Sequence, residues 1–272
     1  MTSNYYPTEF IEHANLCINN NEKIVTRFPP EPNGYLHLGH VKAMEVDFGF
    51  AEQYNGTCIL RFDDTNPSAE KQDYIDSIRN SVKWLGYTYS KETYTSDYFD
   101  VLYELAIKLI KKDLAFVCQL SDLEYGVYRE KEERSPYRNR PIEESLKLFD
   151  EMKNGVYPNK AMTLRMKGEI DATNPNIKSD PVMYRILHME HARTKDKWVI
   201  YPTYDYSHGI VDSLEGITHS FCTKEYEIRR EQYYWFIDKL NMRKPYVYEF
   251  SRLEIKDGLL SKRKIKVIRQ NH

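Results

Sequence analysis

The sequence predicts an α/β fold in which a parallel sheet is interrupted by an inserted segment. Strand-like runs at residues 24–28 and 57–62 are each followed by a helical stretch, and strands that alternate with helices are typical of a parallel sheet covered by helices. Between residues 97 and 196 the pattern changes to helices and a long polar stretch, and the β/α alternation resumes at residue 197. We therefore expect one sheet domain built from two separated halves of the chain.

Local signals define the elements of the first half. After a helical lead-in over residues 1–22, the run IVTRF at residues 24–28 forms a strand that stops at two prolines, and the following glycines lead into a helix at residues 41–54. The run TCILRFDD is a second strand. A helix then covers residues 68–86, because its apolar residues recur every three or four positions and Gly86 marks its end.

The inserted segment and the second half are predicted in the same way. In the inserted segment we expect helices at residues 100–114 and 142–155 and a strand-like run at residues 160–170. In the second half we expect the runs WVIYP and YVYEF, at residues 198–202 and 246–250, to be further strands of the parallel sheet, with a helix at residues 225–240 between them.

Composition excludes several classes of protein. The 272 residues carry 39 Lys and Arg against 41 Asp and Glu, a net charge of −2, so any contact with nucleic acid must come from a local basic patch. The four cysteines, at positions 17, 58, 118 and 222, have neither the spacing of a zinc site nor that of a dense disulfide framework. We expect reduced thiols in a cytosolic protein, no structural metal and no membrane segment.

The stretch FPPEPNGYLHLGH, residues 28–40, is the first candidate site. His37 and His40 are three residues apart at the expected start of a helix, where free backbone N–H groups and the helix dipole favour an anion. Gly34 and Gly39 allow close approach of a ligand. The same spacing also occurs in a proline-rich turn with two surface histidines, so the stretch by itself leaves both interpretations open.

Three further stretches decide between them: LRFDDTNP, YPTYDYSHGIVDSLEGITHSFCT and LSKRK follow the first one in this order. Together the four resemble the glutaminyl-tRNA synthetases, class I enzymes with HIGH and KMSKS signatures, over residues 23–266. The resemblance implies a doubly wound, Rossmann-type catalytic domain in two halves, residues 23–96 and 197–272, split by an inserted α/β domain at residues 97–196 that binds the tRNA acceptor stem. It also implies ATP, with Mg²⁺ accompanying the nucleotide.

Roles for individual residues follow from the matching motifs. The resemblance implies that His37, His40 and Lys262 stabilise the transferring phosphate, which suits them because activation of an amino acid builds negative charge on phosphorus and needs no protein nucleophile. It places Glu31, Pro32, Asn33, Gly39, Thr223, Arg252, Leu253, Leu260 and Ser261 at ATP. It places Arg27, Asp63, Tyr204 and Cys222 at glutamine, with the Asp63 carboxylate on the substrate ammonium group.

Cys222 bears on the choice of amino acid. In the similar glutamyl enzymes this position tends to carry an arginine that pairs with the substrate carboxylate, whereas a neutral thiol favours an amide. We therefore expect activation of glutamine and its transfer to tRNA by a monomeric enzyme. Two alternatives stay open: a glutamyl-tRNA synthetase or short glutamyl-queuosine-type enzyme, and a catalytically silent RNA- or protein-binding paralogue. From the end of the chain at His272, we expect no anticodon-binding domain and poor charging of tRNA.

Overall fold

The computed structural model describes residues 6–169 and 171–252 of the chain. In chain order the elements up to the inserted segment are α1 (Thr8–Asn19), β1 (Val25–Phe28), α2 (Leu38–Gln53), β2 (Thr57–Phe62), α3 (Gln72–Trp84), β3 (Glu92–Tyr94) and the 3-10 helix Thr95–Tyr98. They are followed by α4 (Phe99–Lys111), β4 (Ala115–Cys118), α5 (Asp122–Glu130), α6 (Ile142–Lys153), β5 (Thr163–Met166), α7 (Pro175–Lys178), β6 (Val182–Ile186) and β7 (Ile200–Pro202). The last part contains α8 (Tyr204–Leu214), β8 (His219–Thr223), the 3-10 helix Lys224–Arg229, α9 (Arg230–Leu240) and β9 (Tyr246–Phe250).

Two parallel sheets form the frame of the candidate site. One has the strand order β1-β2-β3 and the other pairs β8 with β9. They meet at β1 and β8, where the backbone N–H of Thr218 donates to the carbonyl of Val25 and the backbone N–H of Val25 donates to Oγ1 of Thr218, both at 2.9 Å. The chain runs outward from β1 to β3 on one side of this junction and from β8 to β9 on the other. The junction is therefore a topological switch point, where ligands of such folds bind.

Three strands of the inserted segment, β4 to β6, form an antiparallel sheet together with β7, in the order β4-β5-β6-β7. The expectation that the run WVIYP belongs to the parallel sheet is wrong, because Ile200–Pro202 pairs antiparallel with β6. Trp198, Ile200 and Tyr201 are all buried. A strand that is covered on both faces loses the apolar–polar alternation of an ordinary antiparallel strand and resembles a parallel one in sequence.

One hydrophobic core joins the antiparallel sheet to the last helices. This cluster contains Val117 of β4 and Leu164 of β5, and it also contains Ile210 of α8 and Phe236 of α9. A second cluster lies between β1, β2, α2 and α3, and a third packs α1 on β8 and β9. Among the described residues no helix is both long and apolar enough to cross a membrane.

Most predicted helices are present, with shifted ends. Helix α3 ends at Trp84, and Gly86 has a φ of +86°, in the left-handed region that glycine adopts readily. The helix predicted at residues 225–240 is divided, because Lys224–Arg229 forms a 3-10 helix before α9. The carbonyl of Ile228 accepts hydrogen bonds from the side chains of Asn174 and Asn176. These tertiary contacts compete for an acceptor that a continuous α-helix would use along its own axis.

A pair of histidines attaches α1 to β8. Oγ1 of Thr218 accepts from the N–H of Val25 and donates to its carbonyl, so the Nδ1–H of His219 donates to Oγ1 at 2.8 Å. Nε2 of His219 is therefore the acceptor for Nδ1 of His13, 3.0 Å away. Burial, with His13 and Arg243 nearby, lowers the pKa of His219 to about 3 from its ordinary value of 6.5. His219 is therefore neutral in the folded protein, and low pH favours the unfolded chain, in which this ring can take up a proton.

This geometry predicts a pH-dependent effect of the substitution His219→Asn. Folded His219 stays neutral while the unfolded chain takes up a proton below pH 6.5, so the stability that the neutral ring contributes is present above that pH and is lost as the pH falls. We expect the destabilisation caused by His219→Asn, measured by urea unfolding, to be about 1.4 kcal/mol smaller at pH 5.5 than at pH 7.5. Equal destabilisation at both pH values would contradict the conclusion that His219 is neutral in the folded protein.

Candidate active site

A cavity of about 800 Å³ opens at the switch point between the two parallel sheets. The carboxyl ends of β1 and β8 form its floor, and the first turn of α2, the 3-10 helix Lys224–Arg229 and the end of β9 form its walls. The lining residues predicted from the sequence are Arg27, Glu31, Asn33, His37, Gly39, His40, Tyr204, Cys222, Thr223 and Arg252. The fold thus brings residues of two distant motifs, together with Arg252 after β9, to one place.

The remaining predicted residues are elsewhere. Pro32 is buried behind the loop, where its carbonyl accepts from the backbone N–H of Lys71. Asp63 is buried at the end of β2, and its N–H donates to the carbonyl of Pro30. It lies beneath the loop and does not line the cavity. The predicted residues Leu253, Leu260, Ser261 and Lys262 lie outside the described residues.

The two signature histidines cap helix α2. His37 is the N-cap, and its Nδ1 accepts from the backbone N–H of Gly39 at 3.1 Å, while Nδ1 of His40 accepts from the backbone N–H of His37 at 3.2 Å. Each imidazole therefore satisfies one N–H group that the helix leaves open. A Cβ at Gly39 would lie 2.9 Å from Cε1 of His37, so glycine permits this closed arrangement. The sequence indicated the helix start but not that the histidines cap it.

A buried network behind the cavity holds Arg27. The Asp212 carboxylate accepts hydrogen bonds from Nε of Arg27 at 3.0 Å and Nη2 of Arg61 at 2.5 Å. Ser220 and Tyr233 donate to its other oxygen, each at 2.9 Å. These contacts, above all those to the two arginines, hold the pKa of Asp212 well below its usual range although burial opposes this. Arg27 is thereby fixed in one orientation.

Sequence reasoning missed this network entirely. Its only signal was an acidic residue within the apolar stretch GIVDSL of α8, because a buried carboxylate is rare unless it is paired. The partners are far apart in the chain: 185 residues separate Arg27 from Asp212. Nothing in local periodicity connects such a pair.

Besides the carboxyl groups of Asp212 and Asp47, three neutral side chains lie near Arg27. Nη2 of Arg27 donates to Nε2 of His208 at 2.8 Å, which makes Nδ1 the protonated nitrogen. Burial, first of all, lowers the pKa of His208 to about 3. The ring of Tyr204 stacks on that of His208 with centroids 4.6 Å apart, and burial raises the pKa of the Tyr204 hydroxyl well above its ordinary value. Sγ of Cys222 lies 3.8 Å from Arg27 Nη2.

The pKa of Asp63 is shifted in the opposite direction from that of Asp212. Burial raises its pKa to about 7, against the effect of Arg61. Within the described part of the chain, its Oδ1 atom finds no hydrogen-bond partner. A buried carboxyl oxygen without a donor is costly, and a positively charged ligand would relieve that cost. Among the described residues no group of three or more His, Cys, Asp or Glu side chains has the geometry to hold a metal ion.

Comparisons with known proteins identify the family of this chain. A family profile described as "tRNA synthetases class I (E and Q), catalytic domain" matches residues 23–272. The cytoplasmic glutamine–tRNA ligase of Arabidopsis thaliana is 54% identical over 249 residues, which are 92% of this chain and 31% of that protein. The glutamine–tRNA ligase of Ectopseudomonas mendocina is 51% identical over 263 residues, 94% of this chain and 47% of that protein. This chain thus spans a third to a half of the length of these relatives.

A solved structure supports the fold. The crystal structure of a glutamate–tRNA synthetase from Elizabethkingia anophelis superimposes with a TM-score of 0.68 at 24% identity, over 90% of this chain and 54% of that one. The predicted α/β class with parallel sheets is confirmed, and so is the resemblance on which the site residues were chosen. The chain belongs to the class I tRNA synthetases of the glutamate and glutamine (E and Q) type, of which it contains the catalytic domain.

Proposed function

We propose that this chain is the catalytic core of a glutamine–tRNA ligase. It activates glutamine with ATP and transfers the glutaminyl group to the terminal adenosine of glutamine tRNA. The family membership and the relatives named above support the reaction class. The four cysteines are unpaired, in keeping with a reducing compartment such as the cytosol. We further propose that residues 97–196 bind the acceptor stem and that the chain acts as a monomer.

Both chemical steps can take place in the cavity at the switch point. In activation an oxygen of the glutamine α-carboxylate bonds to the α-phosphorus of ATP, and the bond from this phosphorus to the bridging oxygen of pyrophosphate breaks. In transfer the 2′-hydroxyl of the terminal adenosine attacks the carbonyl carbon and AMP leaves. The first turn of α2 borders the cavity, and its positive dipole end suits the phosphates. Mg²⁺ enters with ATP, as is usual for a cation that takes few protein ligands.

The charge balance around Arg27 is the observation that carries the choice of glutamine. Arg27 and Arg61 contribute two positive charges, and their partners Asp212 and Glu215 contribute two negative ones. A third buried carboxyl group, Asp47, lies 4.0 Å from Nη1 of Arg27, and burial raises its pKa well above its ordinary value, which favours the uncharged form. Next to this neutral set lie Tyr204, with a protonated hydroxyl, and Cys222, whose pKa burial raises. Within residues 6–169 and 171–252, both arginines of this set have carboxylate partners. A side-chain carboxylate of the substrate would find no unpaired cation in the set, whereas a side-chain amide needs none.

We accordingly expect glutamine to be preferred over glutamate by roughly a hundredfold or more in kcat/KM, because a buried carboxylate without a partner costs at least a few kcal/mol. The measurement is ATP–pyrophosphate exchange with each amino acid, with and without tRNA. Cys222→Arg should narrow the preference by supplying a cation, and the matched neutral change Cys222→Ala should keep it.

The outcomes separate the candidate functions. Equal use of both amino acids, or faster exchange with glutamate, argues against a glutamine enzyme and favours the glutamyl or glutamyl-queuosine type. Binding of tRNA without any exchange identifies a catalytically silent paralogue. Preference for glutamine that survives Cys222→Arg unchanged would show that the thiol position does not govern the choice.

A further inference from the structure

Lys42 connects the signature helix to the end of strand β9. It lies in α2, two residues after His40, and lines the cavity. Its ammonium group donates to the carbonyl of Ser251 at 2.5 Å and to that of Arg252 at 3.3 Å. Its Nζ also lies 5.7 Å from the centre of the Phe250 ring. All of these contacts are to three consecutive residues, Phe250 to Arg252. Ser251, whose carbonyl is the nearer acceptor, is 209 positions after Lys42 in the sequence.

In the described part of the chain, the ammonium group of Lys42 contacts these two carbonyls and the Phe250 ring. Within residues 6–169 and 171–252, no carboxylate lies close enough to Lys42 to form an ion pair. Hydrogen bonds from a charged donor to neutral acceptors are stronger than those between neutral groups. The backbone of Ser251 and Arg252 is therefore tied to the helix that carries His37 and His40.

Arg252 lines the cavity, and its side chain pairs with Glu225. Its guanidinium makes a two-point contact with Glu225, with N–O distances of 3.1 and 3.0 Å. The pair is at the surface, since the side chain of Arg252 is 72% exposed, and exposed ion pairs contribute little. The hydrogen bonds from Lys42 to the carbonyls of Ser251 and Arg252 are a second restraint on Arg252 besides this pair.

We propose that Lys42 is a positioning residue for the nucleotide site. It fixes the backbone at Ser251 and Arg252, so that the Arg252 guanidinium stands at the cavity before ATP binds and little conformational entropy is lost on binding. The role of ATP as the ligand rests on the proposed function. The hydrogen bonds that tie Lys42 of α2 to the carbonyls of Ser251 and Arg252 are independent of that function. Lys42 acts here through Arg252 and touches no phosphate.

Nucleotide affinity tests the functional part. Lys42→Met keeps the aliphatic stem and removes the donor, so we expect the Kd of ATP, measured by calorimetry on the whole chain, to rise about tenfold, with the Kd of glutamine unchanged. Lys42→Arg should restore most of the affinity, because guanidinium N–H groups can reach two neighbouring carbonyls. The matched control is Lys112→Met, which removes another lysine-to-carbonyl contact, to Lys239 at 2.6 Å, away from the cavity. It should leave ATP binding as it is.

Trypsin cleavage after Arg252 tests the tie itself, since one of the carbonyls that Lys42 holds belongs to that peptide bond. Formation of the fragment 1–252, followed by mass spectrometry without nucleotide, should be several-fold faster in Lys42→Met and unchanged in Lys112→Met. If Lys42→Met weakens ATP binding but leaves cleavage unchanged, Lys42 contacts the nucleotide directly and the proposal is wrong. Unchanged ATP affinity overturns it too. If the unsubstituted chain binds no ATP, the proposed function fails, and the cleavage rates still decide whether the tie exists.

Discussion

The substitution Asp212→Asn is expected to destabilise the protein by about 3–5 kcal/mol. Asparagine has nearly the same shape, but it removes one of the two negative charges that balance Arg27 and Arg61, both of which are buried with Asp212. One of its two positions then carries an N–H₂ group, which cannot accept the bonds that Asp212 receives on both oxygens. Breaking one partner of a buried ion pair leaves an uncompensated charge, so most of the loss is a desolvation cost.

Urea unfolding of Asp212→Asn and of the control Asp100→Asn measures this effect. Asp100 forms a surface pair with Lys197 at 2.6 Å, with both side chains more than half exposed, and its loss should cost less than about 1 kcal/mol. If the two variants unfold at similar urea concentrations, the network does not support the fold. If Asp212→Asn is too unstable to purify, the pair of arginines can be tested in Arg61→Met, which should also be strongly destabilised.

The substitution Lys262→Ala is expected to lower the rate of glutamine activation by about 10²–10³. Lys262 belongs to the stretch LSKRK, inside the range matched by the family profile. Its charge would meet the phosphates mainly when pyrophosphate departs, because negative charge is then redistributed towards the leaving group. An interaction made chiefly in the transition state changes kcat much more than substrate binding.

Single-turnover formation of the adenylate, together with the KM of glutamine, measures this effect. Lys264→Ala is the matched control, since it removes the same charge two residues further along a stretch of basic residues, and it should have a small effect. A Lys262→Ala variant that raises only the KM of glutamine would show that Lys262 binds the ground state and has no special place in the transition state.

The strands and helices nearest the cavity could be predicted from the sequence because their signals are local. The two prolines after IVTRF end β1, and the glycines and histidines before residue 41 indicate the start of α2. Since the carboxyl end of a parallel strand is where ligands bind, the position of the first motif followed from the same signals. The expected contacts of this motif with ATP, and those of Thr223 and Arg252, were inferred from the resemblance to the glutaminyl-tRNA synthetases.

Pairing between distant segments could not be predicted in this way. The run WVIYP has the composition of a buried strand in either sheet, and only its backbone partners in β6 assign it to the antiparallel one. Asp63 and Cys222 were expected at the same ligand. The structure places Cys222 on the cavity floor and Asp63 beneath the loop, beside Pro30.

By itself the sequence determined the α/β class, the start of the signature helix and, through its motifs, the family. These are properties of neighbouring residues, whose side chains and backbone angles are coupled directly. The tertiary structure alone decided that Asp212 holds Arg27, that Arg61 beside it pairs with Asp212 and Glu215, and that Lys42 bonds to the backbone after β9. Such contacts join residues that are more than 150 positions apart, and they exist because a buried charged group is stable only where the fold brings a partner near it.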